Sequence, residues 1–248
     1  MSTETAIKNW ENLIKVIETY ISSPRKEQLI KLYEKFSERI MTAPASSHAD
    51  RHNCFPGGYL DHILRVCDMS KALYDIWSKV NAGTDQFTFE ELIFSALNHD
   101  LGKIGTEFGE YYIPNDSQWH KERGQIYKLN GNIDYMKVPD RSLYLLQQHG
   151  IPVSQNEYLA IKLHDGLYSK GNESYLMAGS PEFALKTELP ILLHHADHLS
   201  TLAEAVLNHG QKVETEPSEI KPARSSMKKI NDPVVDTNLK DAFDQLFG

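Results

Sequence analysis

The residues best suited to chemistry in this chain are the run Asn98-His99-Asp100-Leu101-Gly102-Lys103, which follows the largely apolar stretch 92–97. An imidazole and a carboxylate side by side can hold one cation, but consecutive helical side chains point about 100° apart. The pair can share an ion only at the edge between them, near a helix end, and the glycine that follows suits such an ending. Further ligands must then come from other segments. His62, after Pro56-Gly57-Gly58, and Asp197, in Leu192-Leu193-His194-His195-Ala196-Asp197, both sit in helical patterns with apolar neighbours. Two imidazoles and two carboxylates make a mixed nitrogen and oxygen site that suits Mn, Fe, Co, Ni, Zn or Mg better than a soft copper site. Such an ion binds a phosphoryl oxygen and lowers the pKa of a bound water. His194, His195 and His198 are read as packing or surface histidines, although His194 lies one turn from Asp197.

The elements that must position these residues are helical. Ile7, Trp10, Leu13, Ile14 and Ile17 share one face of a first helix. Ser23-Pro24 reads as an N-cap and first-turn proline that open a second helix to about Met41. Residues 42–58 read as an ordered loop, and 59–80 as a strong helix with Leu60, Ile63, Leu64 and Cys67 on one side. Thr88 to Glu91 has capping-box form and opens the helix that ends near His99-Asp100. Residues 102–137 are Gly-rich and irregular, a candidate lid with a short hairpin. A helix is expected over about 140–149, and a second capping box, Ser154 to Glu157, opens one that ends near His164. The last core helix spans 188–209. The fold class is therefore all-α, with a long irregular loop after the His-Asp pair.

Composition agrees with a globular chain. Of its 248 residues 40% are hydrophobic and 24% charged. No apolar run approaches the roughly 20 residues of a membrane span. The start, Met1 to Val16, lacks a basic segment followed by an apolar core, so no secretory signal and a cytoplasmic location are expected. Cys54 and Cys67 then read as reduced thiols. The net charge of −8, from 26 basic and 34 acidic residues, argues against a duplex nucleic-acid surface. A small anionic substrate stays open, because a bound cation reverses the local field.

The stretch Met41 to Val66, the run His99-Asp100-Leu101-Gly102-Lys103 and the segment Leu192 to Ser200 resemble successive motifs of the HD-domain superfamily of metal-dependent phosphohydrolases. The first is similar to the corresponding stretch of bacterial 3′-to-5′ exoribonucleases and of bacterial and phage HD hydrolases. The resemblance covers about residues 40–205 and implies a helical bundle with His62, His99, Asp100 and Asp197 as metal ligands. It also implies that Lys103 contacts phosphate. Relatives with two metals add a histidine just before the helix that begins near Asp140; here Lys137-Val138-Pro139 stands there, which favours one divalent ion over two. His164-Asp165-Gly166 matches a later motif and leaves His164 as a substrate contact, a supporting group or a second-metal ligand.

The leading expectation is a hydrolase of nucleotide phosphate esters, a nucleoside mono- or triphosphate, acting by direct attack of a metal-activated water with Asp100 in the reacting centre. The alternatives are a 3′-5′ exonuclease or cyclic-nucleotide phosphodiesterase, a di-iron oxygenase, and a non-catalytic binding module. Glu107, Asp116, His120 and His164 are candidates for the acid that protonates the leaving group, because the 102–137 loop and the 164 turn should border the site. Arg65 lies three residues beyond His62, on nearly the same face, and is a candidate for phosphate alongside Lys103 and His120. Its alternative is an ion pair with Asp61 or Asp68. The core is expected over 1–209, a flexible linker over 210–235, and an amphipathic segment over 236–248. There Leu239, Phe243, Leu246 and Phe247 share a face that packs on the enzyme's own core or docks on a partner protein.

Overall fold

A computed structural model describes residues 3–80, 82–177 and 179–211. The first helix, α1 (Thr3–Tyr20), buries Leu13 and Ile17 completely and leaves Ile7 exposed. The single helix expected after Ser23-Pro24 is instead two, α2 (Arg25–Lys35) and α3 (Ser37–Thr42). They break at Phe36, whose φ of −110° and ψ of 18° leave the helical region while its N–H closes a tighter turn onto the Tyr33 carbonyl. The break lets Tyr33 and Ile40 both enter the core. Ser23 does not cap the backbone; its hydroxyl bonds the Glu27 carboxylate.

Helix α4 (Gly58–Lys79) packs against α5 (Phe89–Asn98) and against the long last helix, whose span is Leu189–Gln211. Both capping boxes form. Thr88 and Glu91 bond each other's backbone at the start of α5, and Ser154 and Glu157 do the same at the start of the helix Gln155–Leu163. The irregular stretch holds two short strands, β1 (Tyr112–Pro114) and β2 (Tyr127–Leu129), paired antiparallel with Tyr112 opposite Leu129. Between them lies the single-turn helix α6 (Gln118–Glu122). Helix α7 (Val138–Gln148) follows, then α8 (Gln155–Leu163), the short α9 (Glu173–Leu176) and α10 (Leu189–Gln211). The described residues are thus mostly helical. Helices α4, α5, α8 and α10 form the centre, joined by Ile63, Leu97, Ala160 and Leu193. No helix among the described residues is long and apolar enough to cross a membrane. The expected linker begins inside the last turn of α10; its remainder and the 236–248 segment lie outside the described residues.

The turn that follows His99-Asp100 is clamped by α7. The Ser142 hydroxyl accepts the Gly102 N–H at 2.8 Å and lies 3.0 Å from the His99 carbonyl, so a group left over at the end of α5 is satisfied. Gly102 permits this approach: a Cβ there would lie 2.3 Å from the Val138 carbonyl oxygen and 3.0 Å from Arg141 Cβ. Gly102→Ala should therefore push α7 away and lower stability by about 1–3 kcal/mol, the usual cost of overpacking. Urea unfolding measures this, and an unchanged midpoint would contradict the close packing.

Candidate metal centre

Four helices each bring a polar side chain to one point. His62 comes from the second turn of α4, His99 and Asp100 from the end of α5, His164 from the end of α8, and Asp197 from the middle of α10. His62 Nε2 lies 3.2 Å from Asp197 Oδ1 and 3.5 Å from Asp100 Oδ2. His99 Nε2 lies 3.5 Å from Asp100 Oδ2 and 3.9 Å from Asp197 Oδ1. His164 Nε2 is 3.7 Å from Asp100 Oδ1. His62, His99, Asp100 and His164 are buried, and Asp197 opens onto a cleft. The edge-sharing geometry expected of His99 and Asp100 is present: α5 stops at Asn98, and the chain turns at Asp100.

The other ring nitrogens are held. Nδ1 of His99 lies 2.8 Å from the Ala96 carbonyl, and Nδ1 of His164 lies 2.8 Å from that of Ile161. A carbonyl can only accept, so Nδ1 carries a proton in both rings and Nε2 faces the centre. For His62 the partner is a carboxylate: Glu204 Oε2 and Oε1 stand 3.1 and 3.2 Å from Nδ1. The Nε2 atoms of His62 and His99 are buried and meet no aligned hydrogen-bond partner.

Burial alone would lower the His62 pKa, yet the Asp197 and Glu204 carboxylates push it up to about 10. His99 goes the other way, down to about 4, because burial outweighs the attraction of Asp100 and Asp197. Burial works against ionised Asp100 and Asp197, but Lys103 and the histidines beside Asp100, and the histidines beside Asp197, hold both well below the usual carboxylate range. Two ionised carboxylates thus face two inward-pointing imidazoles.

Of the residues expected at the site, the four ligand candidates and His164 converge. Lys103 is present but committed, with Nζ 2.5 Å from Asp100 Oδ2. Four others lie elsewhere. Glu107 is exposed and pairs with Lys35, and His149 Nε2 stands 3.8 Å from it. His120 is exposed on α6 beside Trp119, because the hairpin carries that turn away from the cleft. Asp116 pairs with Lys128 at 2.7 Å, also in the open. Arg65 does not line the cleft; its Nε is 3.2 Å from Glu204 Oε1, and its terminal nitrogen is 3.6 Å from Asp61, so it stands behind His62.

Sequence reasoning missed Glu204 and His52. Glu204 is buried and lies seven residues past Asp197, two turns along the same face, with buried Ser200 between. That run of inward polar positions on α10 was the available signal. His52, in the 42–58 loop, lies with its ring 4.9 Å from that of His62; its buried Nε2 meets no hydrogen-bond partner, and burial lowers its pKa to about 2. No periodicity marks a loop residue of this kind.

A cleft of about 540 Å³ opens over the centre. Asp100, His164 and Asp197 lie on its walls together with the cationic Arg51, Lys103 and Lys137. Tyr111, Tyr135, Tyr168, His194 and His198 supply rings around it, so two of the histidines expected to be packing or surface groups border the site instead. His195 stands apart, 6.1 Å from the ring of Trp77. Compared with known proteins, the chain matches no family model, no curated protein and no solved structure.

Proposed function

We propose that this chain is a metal-dependent phosphohydrolase of the HD type that acts on a nucleotide. The observation that carries the reading is the pair of buried imidazole nitrogens, His62 Nε2 and His99 Nε2, that meet no aligned hydrogen-bond partner and face the Asp100 and Asp197 carboxylates. An unpaired buried polar atom costs about 1–3 kcal/mol, and one divalent cation held by His62, His99, Asp100 and Asp197 would satisfy both nitrogens and offset both negative charges. Mixed imidazole and carboxylate donors suit Mn, Fe, Co, Ni, Zn or Mg. Bound there, such an ion would supply Lewis acidity toward a phosphoryl oxygen and generate the attacking hydroxide near neutral pH.

The chain's own groups do the rest. Lys103, Arg51 and Lys137 place positive charge where a phosphate would enter. His164 Nε2, between Asp100 and Asp165 at 3.7 and 3.6 Å, is placed to hold a proton for the leaving oxygen. Cations beside aromatic rings favour a phosphate that carries a planar base over a simple phosphomonoester.

A screen of metal-reconstituted protein against nucleoside mono-, di- and triphosphates, cyclic nucleotides and short oligonucleotides tests the proposal. Hydrolysis of mononucleotides is the expected result. Shortening of oligonucleotides alone would select an exonuclease, and no turnover of any phosphate ester would remove the reading. Arg65→Ala should leave KM near its original value and weaken metal binding, because Arg65 touches Glu204 rather than the cleft. A raised KM with unaltered metal affinity would return Arg65 to the substrate.

A further inference from the structure

The wall of the cleft beyond the cations is a cluster of rings. His194 Nδ1 lies 2.7 Å from the His164 carbonyl oxygen, which fixes its ring against the turn that ends α8. Gly166 makes room for it: a Cβ there would lie 2.4 Å from His194 Cε1, and its φ of +56° is itself a glycine conformation. His198, one turn further along α10, lies nearly parallel to His194, at 25° with centroids 6.1 Å apart. Tyr168, at the end of the Gly166–Tyr168 turn, lies nearly parallel to His198, at 23° and 5.8 Å. Tyr168 also lies 6.3 Å from His194, tilted at 48°, so the three rings form one mutually packed cluster on the backbone of His164, in which Tyr168 is 80% exposed and borders the cleft. Both elements that carry the cluster also carry the centre: His164 precedes the Tyr168 turn, and Asp197 lies between His194 and His198 on α10.

An aromatic ring left open to water gains little by itself. A ring backed by other rings, anchored by a hydrogen bond and set beside cations is a preformed surface for a planar partner. We infer that Tyr168, supported by His198 and His194, is the platform on which the substrate's nucleobase stacks while its phosphate lies toward Lys103 and the Asp100–Asp197 pair. The inference rests on the proposed nucleotide substrate and assigns its base a place. Stacking reads the π-face that every base has, so the platform distinguishes nucleotides from base-free sugar phosphates more strongly than one base from another.

Equilibrium dialysis of the non-hydrolysable methylenephosphonate analogues of AMP, GMP, CMP and UMP, with that of ribose 5-phosphate as the base-free counterpart, tests this on full-length metal-loaded protein. Wild type should bind the nucleotides more tightly than ribose 5-phosphate. Tyr168→Leu should weaken them by about 5- to 150-fold, the range carried by one base–aromatic stack, with no change for ribose 5-phosphate. Tyr168→Phe keeps the ring and should bind like wild type. His198→Ala, which removes the ring behind Tyr168, should weaken the nucleotides in the same direction. Undiminished nucleotide binding by Tyr168→Leu, equal loss of ribose 5-phosphate, or no preference for nucleotides in wild type would each overturn the platform. Tyr168-dependent nucleotide binding without hydrolysis of any phosphate ester would instead leave the platform standing and remove the proposed reaction.

Discussion

Asp100→Asn and His99→Ala are each expected to lower kcat on phosphate esters on the order of 10³-fold or more, since Lewis-acid stabilisation is worth several kcal/mol and each 1.36 kcal/mol is tenfold in rate. Asp100 faces His62, His99, His164 and Lys103 at once. Asparagine keeps its shape and removes its charge, so the packing around α5 survives while the counter-charge for a cation is lost. His99→Ala removes one of the two unpartnered nitrogens directly. Steady-state phosphate release checks both, with circular dichroism to establish that the helices persist. A folded Asp100→Asn protein with near wild-type kcat would place the chemistry elsewhere.

Glu204→Gln is expected to weaken metal binding by about 10- to 100-fold, the usual consequence of losing a carboxylate that supports a ligating histidine. Glu204 is 1% exposed and, among the described residues, forms ion pairs with His62 and Arg65. Such a burial is costly for a carboxylate unless it is paired and bonded on all sides. Its place explains the expense: it accepts from His62 Nδ1 and so fixes the ring with Nε2 toward the centre. A neutral amide in its place keeps the volume and loses the charge. Competition titration with a fluorescent chelator reads the affinity. Glu157→Gln serves as the comparison, because Glu157 is equally buried and pairs with Arg25 at 2.6 Å on α8, outside the cleft. It should lower the melting temperature and leave metal affinity intact. Wild-type affinity in a folded Glu204→Gln protein would reduce Glu204 to a packing role.

The parts of the centre that were legible in the sequence share a physical reason. His99-Asp100-Leu101-Gly102 sits at a helix end announced twice, by the capping box at Thr88 and by the glycine beyond, so its geometry followed from local rules. His62 and Asp197 lay in strong apolar helical patterns, and helices packed on one core direct their polar exceptions to a shared point. The residues placed wrongly depended on distances that no local pattern carries. Glu107 and His120 were assigned by nearness in sequence to the His-Asp pair, but Glu107 lies in the tight Thr106–Gly109 turn and meets Lys35, and the connection between β1 and β2 leaves His120 in solvent. Arg65 shares a face with His62 as expected, and that same face turns it onto Glu204, 139 positions further on (204 less 65), rather than into the cleft. The break at Phe36 was hidden because helix propensity runs unbroken from Lys26 to Met41, and tertiary packing of Ile40 decided otherwise.

A metal centre at the buried cluster of His62, His99, Asp100 and Asp197 has a direct elemental signature. The direct measurement is elemental analysis of purified wild type and His99→Ala, after identical exposure to Mn, Fe, Co, Ni, Zn and Mg and removal of excess. Close to one equivalent of a divalent ion per wild-type chain, and its loss in the variant, is the predicted result. Equal metal content in the two proteins, whether full or nil, would contradict it.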